Sequence, residues 1–196
     1  MNTTKKILVV VERSENSIKP FVFEAIHAAR LLANSLGGTV HVLCFGLETS
    51  MVSCFVGWGA DHVRILQNPL FGSITLEQAL ESIEPQINAE KPYAVFFSAT
   101  TRGKELSASL SARLNTSLAT DCVAIEIGET GEILVQRPVY AGKALSNLIL
   151  KGTGPHILSL RQNIFRGSGP DFSREGKIES IDIKIPEDRL VLKIQD

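Results

Sequence analysis

The chain has 196 residues, 44% of them hydrophobic and 21% charged, which suits one α/β domain with a small appendage. Twenty basic against 21 acidic residues leave a net charge of −1, so no global field recruits nucleic acid or an anionic membrane. No stretch approaches the roughly 18 apolar residues of a membrane span, and the start, Met-Asn-Thr-Thr-Lys-Lys, leads into a strand instead of a signal-peptide core. A cytoplasmic protein without membrane insertion is the expectation.

Lys5 to Glu12 contains the run Ile-Leu-Val-Val-Val, which predicts a parallel strand covered on both faces. Pro20 to Leu36 carries apolar residues at helical spacing and is followed by Gly37-Gly38, so it reads as a helix with a left-handed cap. Thr39 to Phe45 is the second strand, Met51 to Val56 a short apolar segment, and His62 to Leu66 the third strand. Ile74 to Ala89 reads as a helix in which Pro85 is a kink or break. Tyr93 to Ser98 is another buried strand, and Lys104 to Leu114 another helix. This alternation predicts crossovers and a parallel sheet.

After Leu118 the pattern changes. Cys122 to Ile127, Ile133 to Val139, Lys143 to Leu150 and His156 to Leu160 are strand-like with short turns between them, which predicts an antiparallel extension. Residues 162–176 are polar and Gly-rich and read as a linker or mobile loop. Ile178 to Ile185 and Arg189 to Ile194 read as a hairpin around Pro186-Glu187-Asp188.

Several residue groups are candidates for chemistry. The turn Thr100-Thr101-Arg102-Gly103-Lys104 lies at the carboxyl end of a strand and the start of a helix, where backbone N–H groups favour an anion. Arg102, Gly103 and Lys104 therefore form a candidate anion site; the competing reading is a capped helix start with solvated basic residues. The first loop, Glu12 to Ser17, is acidic and has no glycine for close approach to phosphate, so it reads as a solvated connection. Arg137, Tyr140, Lys143 and Arg161 are candidate partner-interface residues, since tyrosine and arginine are enriched where protein surfaces meet. Snorkelling at sheet edges is their alternative role. His27, His41, His62 and His156 lack metal-ligand spacing, and Cys44, Cys54 and Cys122 fit reduced, buried thiols. No nucleophile elbow or acid/base pattern is present, so no catalytic residue is assigned.

The segments Lys6-Ile7-Leu8-Val9-Val10-Val11-Glu12, Ser98 to Cys122, Arg137 to Leu145 and Ser159-Leu160-Arg161 come in an order that resembles the N-terminal domain of electron-transfer flavoprotein alpha subunits. The resemblance covers nearly the whole chain. It implies a three-layer, Rossmann-like α/β fold of the adenine nucleotide alpha hydrolase-like type, with a largely parallel sheet, an antiparallel extension and a C-terminal hairpin. The expected divisions are a domain over 1–161, the linker over 162–176 and the hairpin over 177–196. It also implies a heterodimer with a beta subunit that carries electrons from dehydrogenases, typically acyl-CoA dehydrogenases, through FAD to a downstream acceptor. In that family FAD is held by a C-terminal domain that follows this one. The chain stops at Asp196, so the resemblance implies one domain of a longer subunit or the product of a split gene, with no cofactor and no catalysis of its own. Self-association is expected when the partner is missing. The rival class is a free-standing nucleotide-binding or regulatory module akin to universal stress proteins, against which the late antiparallel strands argue.

Overall fold

An uninterrupted apolar run can be buried on both faces only if layers cover both sides of it. β1 (Lys6–Val11) is such a run: in the computed structural model Ile7, Val9 and Val11 enter one core cluster, and Leu8 and Val10 enter another on the opposite face. Residues 5–12, 17–69, 71, 74–152 and 154–185 are described. The first core lies under α1 (Pro20–Leu36) and the short helices α2 (Thr49–Val52) and α3 (Cys54–Gly57). The second lies under α4 (Leu76–Glu90) and α5 (Thr101–Arg113). Three layers result.

The helix ends follow from their residues. Pro20 occupies the first turn of α1, where its missing N–H costs nothing, and Gly37 closes the helix at φ 60°. Thr75 and Gln78 form a capping box at the start of α4: the Gln78 N–H donates to Thr75 Oγ1 (3.2 Å), and the Thr75 N–H donates to Gln78 Oε1 (2.9 Å). Pro85 neither breaks nor ends α4. Burial of Leu80, Ile83 and Ile87 against the sheet offsets the amide donor that proline lacks.

The middle layer is a seven-stranded sheet that adds β2 (Thr39–Phe45), β3 (His62–Gln67), β4 (Ala94–Ser98), β5 (Leu118–Cys122), β9 (His156–Leu160) and β10 (Lys177–Asp182) to β1. The order is β10-β3-β2-β1-β4-β9-β5, and every pairing is parallel. Among the described residues, β6 (Ala124–Ile127), β7 (Ile133–Val139) and β8 (Ala144–Leu150) alone form the antiparallel sheet.

The antiparallel extension expected from Cys122 to Leu160 is therefore narrower than its sequence suggested. The stretch Cys122 to Ile127 is divided, because Asp121 adopts φ 61° and the β5–β9 register shifts there. Its first part ends a parallel edge strand, and the rest turns into the second sheet. His156–Leu160 is inserted between β4 and β5 with all five residues buried.

Residues 162–176 are held against the α1 face instead of hanging free. Phe165 packs on the first core, the Asp171 N–H donates to the Gly57 carbonyl (2.9 Å), and Arg174 pairs with Asp61 (3.1 Å). This strap carries the chain from one side of the sheet to the other, where β10 pairs in parallel with β3. The expected hairpin partner at Arg189 to Ile194 lies outside the described residues.

Candidate functional site

In doubly wound sheets a ligand crevice forms at the carboxyl ends of the strands where strand order reverses. Here that point lies between β1 and β4, and it contains the Thr100–Lys104 turn. Thr100 caps α5: its Oγ1 accepts from the Gly103 N–H at 2.9 Å and donates to Glu12 Oε1 at 2.5 Å. A Cβ on Gly103 would lie 2.0 Å from the Ser98 carbonyl oxygen and 2.8 Å from Glu12 Oε1. Gly103 thus lets the helix start press against the end of β4. Burial pushes the Glu12 carboxyl above its usual range, opposed by the Thr100 hydrogen bond and by Arg102.

The carboxylate beside this helix N-terminus is the chain's own. Arg102 donates to the Ile74 carbonyl at 3.0 Å, tying α5 to the segment before α4, while exposed Lys104 lies in the field of Asp121. Arg102, Gly103 and Lys104 are contiguous, yet each is engaged differently.

The second candidate surface is the antiparallel sheet. Ile133, Val135 and Leu150 turn inward and join the first core. On the outer face Leu134 pairs with Ile149, Gln136 with Asn147 and Pro138 with Leu145. Leu145 and Ile149 are 59% and 54% exposed, and the outer edge of β8 has no strand beside it among the described residues. A shallow trough of about 330 Å³ runs along this face between Glu126, Leu134, Asn147 and Ile149. At the tip of the β7–β8 hairpin Tyr140, Ala141 and Gly142 have positive φ values of 51°, 54° and 86°, and Tyr140 stands 81% exposed.

The four sequence-nominated interface residues divide into two groups. Arg161 makes a two-pronged pair with Asp121, at 3.2 and 2.7 Å, which holds the Asp121 carboxyl below its usual range. Arg137 lies near the same aspartate with its Nε buried and without a hydrogen-bond partner. Tyr140 and Lys143 stand at the exposed hairpin tip. Sequence reasoning missed Leu145 and Ile149. Their signal is the run Ala-Leu-Ser-Asn-Leu-Ile-Leu, in which both faces of one strand carry large apolar residues. Among the described residues no group of three or more His, Cys, Asp or Glu could hold a metal ion, and no helix is long and apolar enough to cross a membrane.

The described residues thus form a parallel three-layer scaffold with the Glu12 carboxyl bonded at the helix start in its strand-end crevice, and a second sheet with exposed apolar residues and an edge that no described strand covers. Comparison with known proteins gives the family. The model for the electron transfer flavoprotein domain matches residues 7–186, and the chain belongs to that family. It is 33% identical over 190 residues to the electron transfer flavoprotein subunit alpha of Bacillus subtilis (strain 168), covering 96% of this chain and 57% of that protein. The corresponding subunit of Thermoanaerobacterium thermosaccharolyticum is 28% identical, covering 99% of this chain and 59% of that protein. The lactate dehydrogenase (NAD(+),ferredoxin) subunit LctC of Acetobacterium woodii is 29% identical, covering 91% and 43%. The chain thus spans little more than half the length of the alpha subunits it matches, and the match is to their N-terminal domain.

Proposed function

We propose that this chain is the scaffold part of an electron-transfer flavoprotein alpha subunit, which pairs with a beta subunit to carry electrons from dehydrogenases to a downstream acceptor. The observation that carries the reading is the outer face of the antiparallel sheet, where exposed Leu145 and Ile149 lie on β8, whose outer edge no described strand covers. A partner strand or sheet placed there removes the apolar area from water at about 25 cal/mol per Å² and satisfies the edge amides. Tyr140 at the hairpin tip adds an aromatic anchor of the kind that concentrates binding energy.

The strand-end crevice does not suit the pyrophosphate of a flavin. The Glu12 carboxyl, bonded to the Thr100 hydroxyl that caps α5, stands beside the helix N-terminus that a phosphate would approach. In this reading the flavin is held elsewhere in the complex, and the chain is an electron-carrier subunit without chemistry of its own. Co-expression with the cognate beta subunit, followed by size-exclusion chromatography with light scattering, tests the proposal. A one-to-one heterodimer is expected, weakened by Leu145→Asp or Ile149→Asp, together with self-association of the chain alone. A monomer indifferent to the beta subunit overturns the assignment.

A further inference from the structure

β8, Ala-Leu-Ser-Asn-Leu-Ile-Leu, contains no charge, no proline and no glycine, and its register with β7 runs from Ala144 to Leu150 without a shift. No described strand lies along its outer side. Proteins that keep a sheet edge bare commonly blunt it with a charge, a proline or a bulge within the strand. Here the charges stand only at the two ends: exposed Lys143 precedes the strand and exposed Lys151 follows it. The ladder of β8 is thus open to a further strand, and its charges are placed to act on the ends of whatever lies beside it.

Leu145, Asn147 and Ile149 share the outer face, and all three are exposed. A second copy of the chain answers the apolar part of this pattern. Antiparallel pairing of β8 with itself about Asn147 sets Leu145 against Ile149 twice, with the two Asn147 amides between them. The same register sets Lys143 against Lys151 at both ends, and like charges directly opposite one another are destabilising. A strand of another protein with an acidic residue at each of those places keeps the apolar contacts and turns both repulsions into ion pairs.

We propose, resting on the reading that this sheet is the partner surface, that β8 takes up an extended partner strand with apolar residues at alternate positions and a carboxylate at each end. Lys143 and Lys151 select that strand over a second copy of the chain. The backbone ladder supplies attachment to either occupant, and the lysines supply the difference between them.

Charge reversal separates the two pairings, because they respond in opposite directions. In Lys143→Glu the new carboxylate faces Lys151 of the second copy at both ends of the two-fold pair, so sedimentation equilibrium should show self-association at least about tenfold tighter than that of wild type. Lys151→Glu should do the same by symmetry, and the double reversal should lose the gain, since the facing groups are again alike. Toward the beta subunit each single reversal should weaken the heterodimer about threefold and the double reversal about tenfold. Both effects should shrink in about 1 M salt. Both lysines are exposed and lie outside β8, so the variants should melt within about 2 °C of wild type. Single variants that self-associate no more tightly than wild type overturn the proposal. So does a heterodimer indifferent to the double reversal; if Leu145→Asp still breaks that heterodimer, the sheet remains the partner surface and only this inference falls. Should wild type form no heterodimer, the proposed function falls, and labelled peptides decide this inference by fluorescence anisotropy. Glu-Val-Thr-Val-Thr-Val-Thr-Val-Glu should bind at least about tenfold tighter than the same peptide with lysine at both ends. Equal binding, or none up to about 1 mM, overturns it.

Discussion

Replacing Gly103 with alanine puts a methyl group where the chain is already in contact. The added Cβ would lie 2.0 Å from the Ser98 carbonyl oxygen and 2.8 Å from Glu12 Oε1. The first of these neighbours is backbone, and Ser98 is paired in register with Leu160 of the adjacent strand, so it has nowhere to swing. Relief must come from α5 moving outward, which stretches the 2.9 Å cap between the Gly103 N–H and Thr100 and loosens Leu106 and Leu110 from the second core. Overpacking of this kind costs about 1–3 kcal/mol, and a lost cap costs about 1 kcal/mol more. The better helix propensity of alanine returns about 1 kcal/mol. A net loss of about 1–3 kcal/mol corresponds to a fall in Tm of roughly 2–12 °C for a chain of this length. Thermal melts followed by circular dichroism would measure it, with exposed Lys104→Ala as a control that should move Tm by about 2 °C at most. A Gly103→Ala protein that melts at or above wild type would refute the argument. It would mean that the helix start is not pressed onto β4 and that the glycine keeps space for something else, such as an approaching anion.

The folded state should also lose stability in mild acid through His156. That imidazole is 1% exposed and bonded to Ser117 Oγ at 3.0 Å, and burial, with Lys5 nearby, holds its pKa below the usual value. A lowered folded pKa means that the unfolded chain takes up the proton first, so this contribution is complete above an unfolded pKa of about 6.5 and is lost as pH falls below it. The fall in Tm between about pH 7.5 and pH 5 should be smaller in His156→Gln, which cannot titrate; an identical pH profile would exclude His156 as a cause. Asp61 is the anchor of the strap, accepting from Arg30 at 2.8 Å, Arg174 at 3.1 Å and the buried Val40 N–H at 2.8 Å. Asp61→Ala should cost about 1–3 kcal/mol, most of it from the orphaned amide, and should expose Arg166 and Arg174 to trypsin. Unchanged limited-proteolysis rates would show that the strap is held by other contacts.

Local periodicity carried much of the fold. The Ile-Leu-Val-Val-Val run required cover on both faces, and β1 feeds both cores. Pro20 and Gly37 marked the limits of α1, because the first lacks a donor that a helix start does not need and the second reaches a φ that a helix end requires. The candidate surfaces were partly legible. The Ser98–Cys122 stretch located the strand, turn and helix of the crevice, and Tyr140 lies at the exposed tip of the β7–β8 hairpin.

What the chain order withheld was partnership. His156–Leu160 follows three antiparallel-looking strands, yet its neighbours are β4 and β5, and Lys177–Asp182 joins β3 on the far side of the sheet. A strand's period tells which faces are buried, but its ladder partners lie tens of residues away and are chosen by the space the other layers leave. The same holds for single side chains. In sequence Glu12 was part of an acidic loop and Glu24 one helical residue among many; the tertiary structure bonded the first to the Thr100 cap at the strand-end crevice and left Oε2 of the second buried without a hydrogen-bond partner among the described residues. The outcome for Glu12 depends on a residue 88 positions away, Thr100, brought close only when the sheet assembles.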